Sequence, residues 1–118
     1  MEIGKSKSLI IAKEYLRKEV EVIIDRPLGS KHPEHHFVYE LNYGYLEGVK
    51  APDGENFDAY YVGENKPLEK GIGKCIAIVH RKDDDDDKLI VSKKDLSNKE
   101  IEKLIDFQEK YFDHEIIR

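Results

Sequence analysis

Lys74-Cys-Ile-Ala-Ile-Val-His80, the five aspartates Asp83 to Asp87, and Lys88-Leu-Ile-Val-Ser92 form the stretch that decides the fold. The apolar centre of the first run is continuous rather than alternating, which predicts a strand buried on both faces. The second run predicts a short strand, and the acidic segment predicts the solvated connection between them. Short strands at this close spacing, with turns between, suggest an antiparallel barrel or sandwich.

Upstream, Val20, Val22 and Ile24 alternate with polar or less constrained positions and predict a strand, closed by the turn residues Arg26-Pro27-Leu28-Gly29-Ser30. Phe37, Tyr39 and Leu41 alternate in the same way and predict a second strand. Asn42-Tyr43-Gly44-Tyr45 then reads as an irregular, glycine-containing stretch. Phe57 to Val62 predicts a third strand, which makes the two opening strands the fourth and fifth. Ser8 to Lys18 fits either a short helix or a strand.

Downstream the pattern changes. Ser97-Asn-Lys-Glu100 is a capping box, in which the serine oxygen accepts from an orphan N–H of the first turn. Ile101, Leu104, Ile105, Gln108, Tyr111 and Phe112 share one helical face, so a helix is expected from Asn98 to Phe112, packed on the barrel with Tyr111 turned inward.

Composition sets the outer bounds. The 118 residues fit one domain, 1–118, and can bury a core without disulfides. The single cysteine, Cys75, excludes an internal disulfide and a multi-cysteine zinc site, and its apolar strand predicts an inert core thiol. Charged residues reach 38% and the net charge is −5, which argues against a general nucleic-acid binder, because phosphate backbones attract basic surfaces. The longest apolar run, Cys75 to Val79, falls far short of the roughly 20 residues that cross a bilayer. Met1 to Lys7 lacks the apolar stretch of a secretory signal. A cytoplasmic protein without membrane partners is the expectation.

Three groups of residues carry chemistry. Asp53-Gly54-Glu55-Asn56-Phe57-Asp58 places three carboxylates within six residues. Gly54 permits a tight turn, so Asp53 and Glu55 can face a common point, while Asp58 lies on the strand face opposite Phe57. Carboxylates gathered in this way repel unless a cation neutralises them, and oxygen-only donors suit Mg²⁺, Mn²⁺ or Ca²⁺. A solvated acidic turn is the plainer alternative for the hexapeptide alone. The second group is the aspartate run followed by Lys88, and the third is the tyrosines, which donate to phosphate oxygens when they line a wet pocket. His32, His35 and His36 read as a polar loop around Pro33.

In order along the chain, Pro27-x-Gly29-Ser30-Lys31, Tyr39-x-x-Asn42-Tyr43-Gly44-Tyr45, Asp53-Gly54-Glu55-x-x-Asp58 and Asp86-x-Lys88 resemble the soluble inorganic pyrophosphatases. Phe107-Gln108-Glu109-Lys110-Tyr111 looks like that family's C-terminal helix. The resemblance implies a small five-stranded OB-like antiparallel β-barrel, mainly β with α, with a C-terminal helix packed on it. It implies divalent-metal ligands at Asp53, Glu55 and Asp58, at Asp86, at Asp83 or Asp84, and at Asp25. Glu55 and Asp58 would orient or deprotonate the attacking water, and Lys31, Tyr39, Tyr43, Lys88 and Tyr111 would bind substrate phosphate.

The implied activity is Mg²⁺-dependent hydrolysis of pyrophosphate to two phosphates, with Mn²⁺ as an alternative to Mg²⁺, and the implied assembly is a homo-oligomer. The chain departs from the family in placing Glu55 at the middle aspartate and Phe112 where a lysine follows the helix tyrosine. A charged hairpin after the glycine-serine turn is shortened, and its arginine has no counterpart; Arg26 and Arg81 are the guanidinium groups available. A non-hydrolytic relative that binds a metal-complexed phosphorylated ligand is the competing reading. An OB-type nucleic-acid module is a third.

Overall fold

In the computed structural model, residues 6–34, 36–83 and 85–118 are described, so the expectations placed on Met1 to Lys5, His35 and Asp84 lie outside the described residues. The elements are α1 (Lys7–Lys13), β1 (Glu19–Arg26), β2 (Asn42–Lys50), β3 (Asn56–Tyr61), β4 (Lys70–Arg81), β5 (Lys88–Ser92), α2 (Asn98–Glu109) and β6 (His114–Ile117). The strand order is β1-β2-β3-β5-β4-β6, and β1 also pairs with β4, which closes five strands into a barrel. The pairings are antiparallel except that of β3 with β5, which run parallel. The parallel seam arises because the long β4 lies between them in sequence and on the far side of β5 in space.

Strand alternation sorts the barrel into an inside and an outside. Val22, Ile24, Leu46, Phe57, Ala59, Tyr61, Cys75, Ile78, Leu89 and Val91 fill the interior cluster, with Ala12 of α1 packed into it. Tyr60, Val62, Ile76, Ala77, Val79 and Ile90 form a second, outer cluster against Ile101, Ile105 and Phe107 of α2. Both β4 and β5 are therefore covered on two faces, as the apolar centre of β4 predicts for that strand. Burying an aliphatic side chain of this kind contributes about 1.5–3 kcal/mol.

Three readings of the sequence are corrected. Phe37 to Leu41 is not a strand; it makes one isolated bridge, Lys31 with Val38, and its alternating aromatics serve a loop that packs on α2. Asn42 to Tyr45 is not irregular but opens β2, the strand that pairs with both β1 and β3. Gly44 is required there, since a Cβ at that position would lie 1.8 Å from the Ile23 carbonyl oxygen across the β1 pairing. Helix α2 ends at Glu109, three residues before the expected Phe112, and the chain turns into β6, which extends β4 beyond the barrel. The capping box is present: Ser97 Oγ accepts from Glu100 N at 3.1 Å, and Ser97 N donates to Glu100 Oε1 at 2.9 Å. The undecided segment Ser8 to Lys18 begins as helix α1, capped by Ser6. No helix among the described residues is long and apolar enough to cross a membrane.

Candidate active site

The outward-facing partners of the barrel alternation converge on one cleft. Ile24, Phe57 and Leu89 turn into the interior, so their neighbours Asp25, Asp58 and Lys88 turn outward. Tyr43 of β2 faces Tyr60 across the β2–β3 pairing, with ring centroids 4.9 Å apart. Asp25, Asp58, Lys88 and Tyr43, with Arg26, Tyr39, Arg81 and Asp86, line a cleft of about 700 Å³ beside the C-terminal end of α2.

Lys88 is the centre of its charge. The side chain is 3% exposed, and Nζ donates to Asp58 Oδ2 at 2.7 Å and to Asp86 Oδ1 at 2.9 Å. A buried ammonium is stable only with such compensation. Arg81, at the end of β4, is fixed from behind. Its Nε and Nη2 donate to Glu109 Oε1 and Oε2 at 3.0 and 2.7 Å, and Glu109 is fully buried. Tyr60 donates to the same carboxylate at 2.7 Å and accepts from Gln108 Nε2 at 2.6 Å. The guanidinium lies 3.7 Å from the Phe112 ring centroid, and Nη1 reaches toward Asp86 Oδ2 at 3.4 Å. A guanidinium held by two parallel bonds presents its remaining N–H groups in fixed directions.

The proton inventory follows from these contacts. Burial works to raise the Glu109 pKa, but the bonds and charge of Arg81 outweigh it, and the carboxyl is held below its usual range. Arg81 is raised by the same pair, against the effect of its own burial. Desolvation raises Tyr43 well above its usual value, with Asp58 adding to it, and raises Tyr39 as well. Both phenols are donors at neutral pH. Asp25 is raised by desolvation and, to a smaller degree, by Asp58, against the lowering effect of Arg26.

The acidic loop between β4 and β5 distributes its carboxylates among different partners. Asp85 Oδ1 accepts from Ser6 Oγ at 2.6 Å and from Ser8 N at 2.8 Å, which ties the loop to the start of α1. Asp86 serves Lys88 and Arg81. Asp87 is buried and accepts from Arg81 N at 3.0 Å, with His80 Nδ1 3.1 Å from each of its oxygens.

Of the residues expected from sequence, Asp25, Asp58, Asp86, Lys88, Tyr39, Tyr43 and Tyr111 line the cleft. Tyr111 does so from a rim position with 64% of its surface exposed, not turned inward as expected. Asp53, Glu55, Lys31 and Asp83 are exposed and are not among the lining residues. Gly54 does form the tight turn, at φ +88°, but Asp53 Oδ1 accepts from Glu55 N at 2.9 Å, so that carboxylate caps its own turn at the tip of the β2–β3 hairpin. Sequence reasoning offered Arg26 and Arg81 only as available charge, and gave no site role to His32, Phe37 or Gln108, which also line the cleft. A pointer to Arg81 was its place between a buried strand and an acidic loop.

The outward carboxylates Asp58 and Asp86 are bridged by Lys88, and among the described residues no three histidine, cysteine or acidic side chains gather where an ion could sit. Lys88 Nζ thus lies between two of the carboxylates that the resemblance implies as metal ligands.

Comparison with solved structures gives the fold a counterpart. The inorganic pyrophosphatase from Ehrlichia chaffeensis superposes with a TM-score of 0.65 at 17% identity, over 85% of each chain. That from Helicobacter pylori gives 0.60 at 17%, covering 79% of this chain and 75% of its own. That from Neisseria gonorrhoeae gives 0.53 at 22%, covering 69% and 58%. At these identities the likeness is one of fold: a small closed barrel with helices outside, of the kind that soluble inorganic pyrophosphatases share. No family profile matches the chain, and no curated protein matches it by sequence.

Proposed function

We propose that the cleft hydrolyses inorganic pyrophosphate to two phosphates and takes it as the magnesium complex. The observation that carries this reading is the meeting, on a pyrophosphatase-like barrel, of anchored cations with carboxylates that could hold a water. Lys88, Arg81 and Arg26 supply positive charge for the phosphoryl oxygens, and the protonated phenols of Tyr39 and Tyr43 supply neutral donors. Mg²⁺ brought by the substrate cancels part of the remaining charge; Mn²⁺ would serve in the same way.

The reaction needs a water held in line with the bridging oxygen. Asp58 and Asp25 are the carboxylates placed to orient it, and burial raises the Asp25 pKa above its usual value, which favours it as the proton acceptor. The water oxygen bonds to one phosphorus, the bridging oxygen leaves with the other phosphate, and the water proton passes to the carboxylate. Arg81 steadies the leaving phosphate without moving, because Glu109 has already fixed it.

The test is phosphate release from pyrophosphate, with and without Mg²⁺, by the wild type and by Asp58→Asn. Metal-dependent release that falls about 100-fold or more in a folded Asp58→Asn protein supports the reading. Equal release by both removes Asp58 from the site. A second reading has its own observation: Lys88 already engages both Asp58 and Asp86. If that bridge persists with ligand bound, the protein binds a metal-complexed phosphate without turnover, and saturable binding with no release identifies it.

A further inference from the structure

The cleft is larger and more aromatic than an inorganic anion requires. Its volume, about 700 Å³, is that of sites enclosing organic ligands of drug size. Pyrophosphate is a small hydrated ion with no apolar surface, and aromatic ring faces, unlike the Tyr39 and Tyr43 hydroxyls, do nothing to stabilise it. Two separate segments nevertheless supply such walls. The connection between β1 and β2 brings His32, Phe37 and Tyr39, with the His32 and Tyr39 rings 4.9 and 5.4 Å from that of Phe37. Phe107 of α2 backs Phe37 edge-on at 5.9 Å. The turn after α2 brings Phe112, which keeps 38% of its surface exposed beside the cleft.

Cations and rings are adjacent rather than segregated. The Arg81 guanidinium lies 3.7 Å from the Phe112 ring centroid, and Lys88 Nζ lies 5.8 Å from that of Tyr43. A phosphate held by Arg81 and Lys88 therefore brings whatever is esterified to it against an aromatic face.

Resting on the phosphoanhydride reading above, we infer that the preferred substrate is a diphosphate ester bearing a planar aromatic ring, a nucleoside diphosphate being the commonest such chemistry. The bond cleaved is the same. Water oxygen bonds to the terminal phosphorus, that phosphorus parts from the bridging oxygen, and the nucleoside monophosphate leaves with it; the water proton passes to the cleft carboxylate and then to solvent. Stacking of a base on aromatic side chains tolerates any base, because every base has a π-face.

The experiment measures affinity and phosphate release for the magnesium complexes of ADP, ribose 5-diphosphate and pyrophosphate, with the wild type, Phe37→Leu and Phe112→Leu. ADP binding about 10-fold or more tighter than ribose 5-diphosphate, with the ratio falling in either variant, is the expected result. Leucine keeps bulk and apolarity, so a lost ratio in a folded variant reports the ring itself. Equal affinity for ADP and ribose 5-diphosphate overturns the inference, and pyrophosphate cleavage in that same experiment leaves the pyrophosphatase reading standing. Ring-dependent binding with no phosphate released from any of the three supports the ligand class and overturns hydrolysis. A ratio that survives both substitutions overturns the assignment of the aromatic wall.

Discussion

The chain has two acidic stretches, 53–58 and 83–87, and the structure treats them differently. The first is a hairpin turn that satisfies itself: Asp53 accepts from the backbone of Glu55, Ala51 N donates to Glu55 O at 2.8 Å, and only Asp58, already on β3, reaches the cleft. In the second, each described carboxylate from Asp85 to Asp87 has a separate partner in another element: α1, Lys88 and Arg81, and His80. A count of acids does not make a site. The outward phase of a strand or a partner on a neighbouring element decides which carboxylates face the cleft.

The strongest way to break this contrast is to remove what the second stretch leans on. Glu109→Ala removes both short bonds to the Arg81 guanidinium, whose side chain is 6% exposed, and leaves it only the longer 3.4 Å contact with Asp86. A loss of about 3–5 kcal/mol in denaturant unfolding is expected. Glu109→Gln, which keeps one acceptor for Arg81 and Tyr60, should lose less.

Activity sharpens the contrast within the first stretch. Asp58→Asn should lower phosphate release about 100-fold, whereas Asp53→Asn should leave it within about twofold, since Asn still caps the turn. An Asp53→Asn protein as inactive as Asp58→Asn would restore the turn to the site.

Lys88→Met tests the resident cation. With the ammonium gone, Asp58 loses its bonded cation and Asp86 keeps only the longer contact with Arg81, and Mn²⁺ binding to the free protein, read by calorimetry, should tighten about 10-fold. Unchanged Mn²⁺ affinity would show that Lys88 does not stand in for an ion.

The smallest effect lies outside both stretches and serves as their control. Burial works to lower the His114 pKa, but the Phe112 carbonyl and Glu102 outweigh it and hold it above its usual value. A raised histidine contributes stability below the unfolded pKa near 6.5 and loses it as pH rises through the folded value. His114→Gln should therefore cost more stability at pH 5 than at pH 8.5. Glu102 is 46% exposed, so the difference should stay under about 1 kcal/mol.

What the sequence made legible follows from where the information resides. β5 was readable to the residue and the centre of β4 was plain, because two-sided burial writes itself as an apolar run in Ile76 to Val79 and Leu89 to Val91. β2 was not, because its identity depends on Gly44 meeting the Ile23 carbonyl, a contact between strands. The alternation of Phe37, Tyr39 and Leu41 was real but belonged to a loop wall, which has the same period and no ladder. In the site, Asp58, Asp86, Lys88, Tyr39 and Tyr43 sit in short recognisable motifs. Arg81 acquires its role from Glu109, 28 residues further on, and only the fold brings the two together.

The bonds from Asp85 to Ser6 and Ser8 have a thermodynamic consequence for the cleft. An acidic loop left to solvent would lose its conformational freedom when ligand arrives, at about 1–2 kcal/mol per ordered residue. Here Asp85 is fastened to the start of α1 and the chain passes from it directly into β5, so that the entropy of this part of the loop is lost when the chain folds rather than when ligand binds. Ser6→Ala would transfer part of it back to the binding step, and the change would appear as slower association in the cleft, from a residue that is not among those lining it.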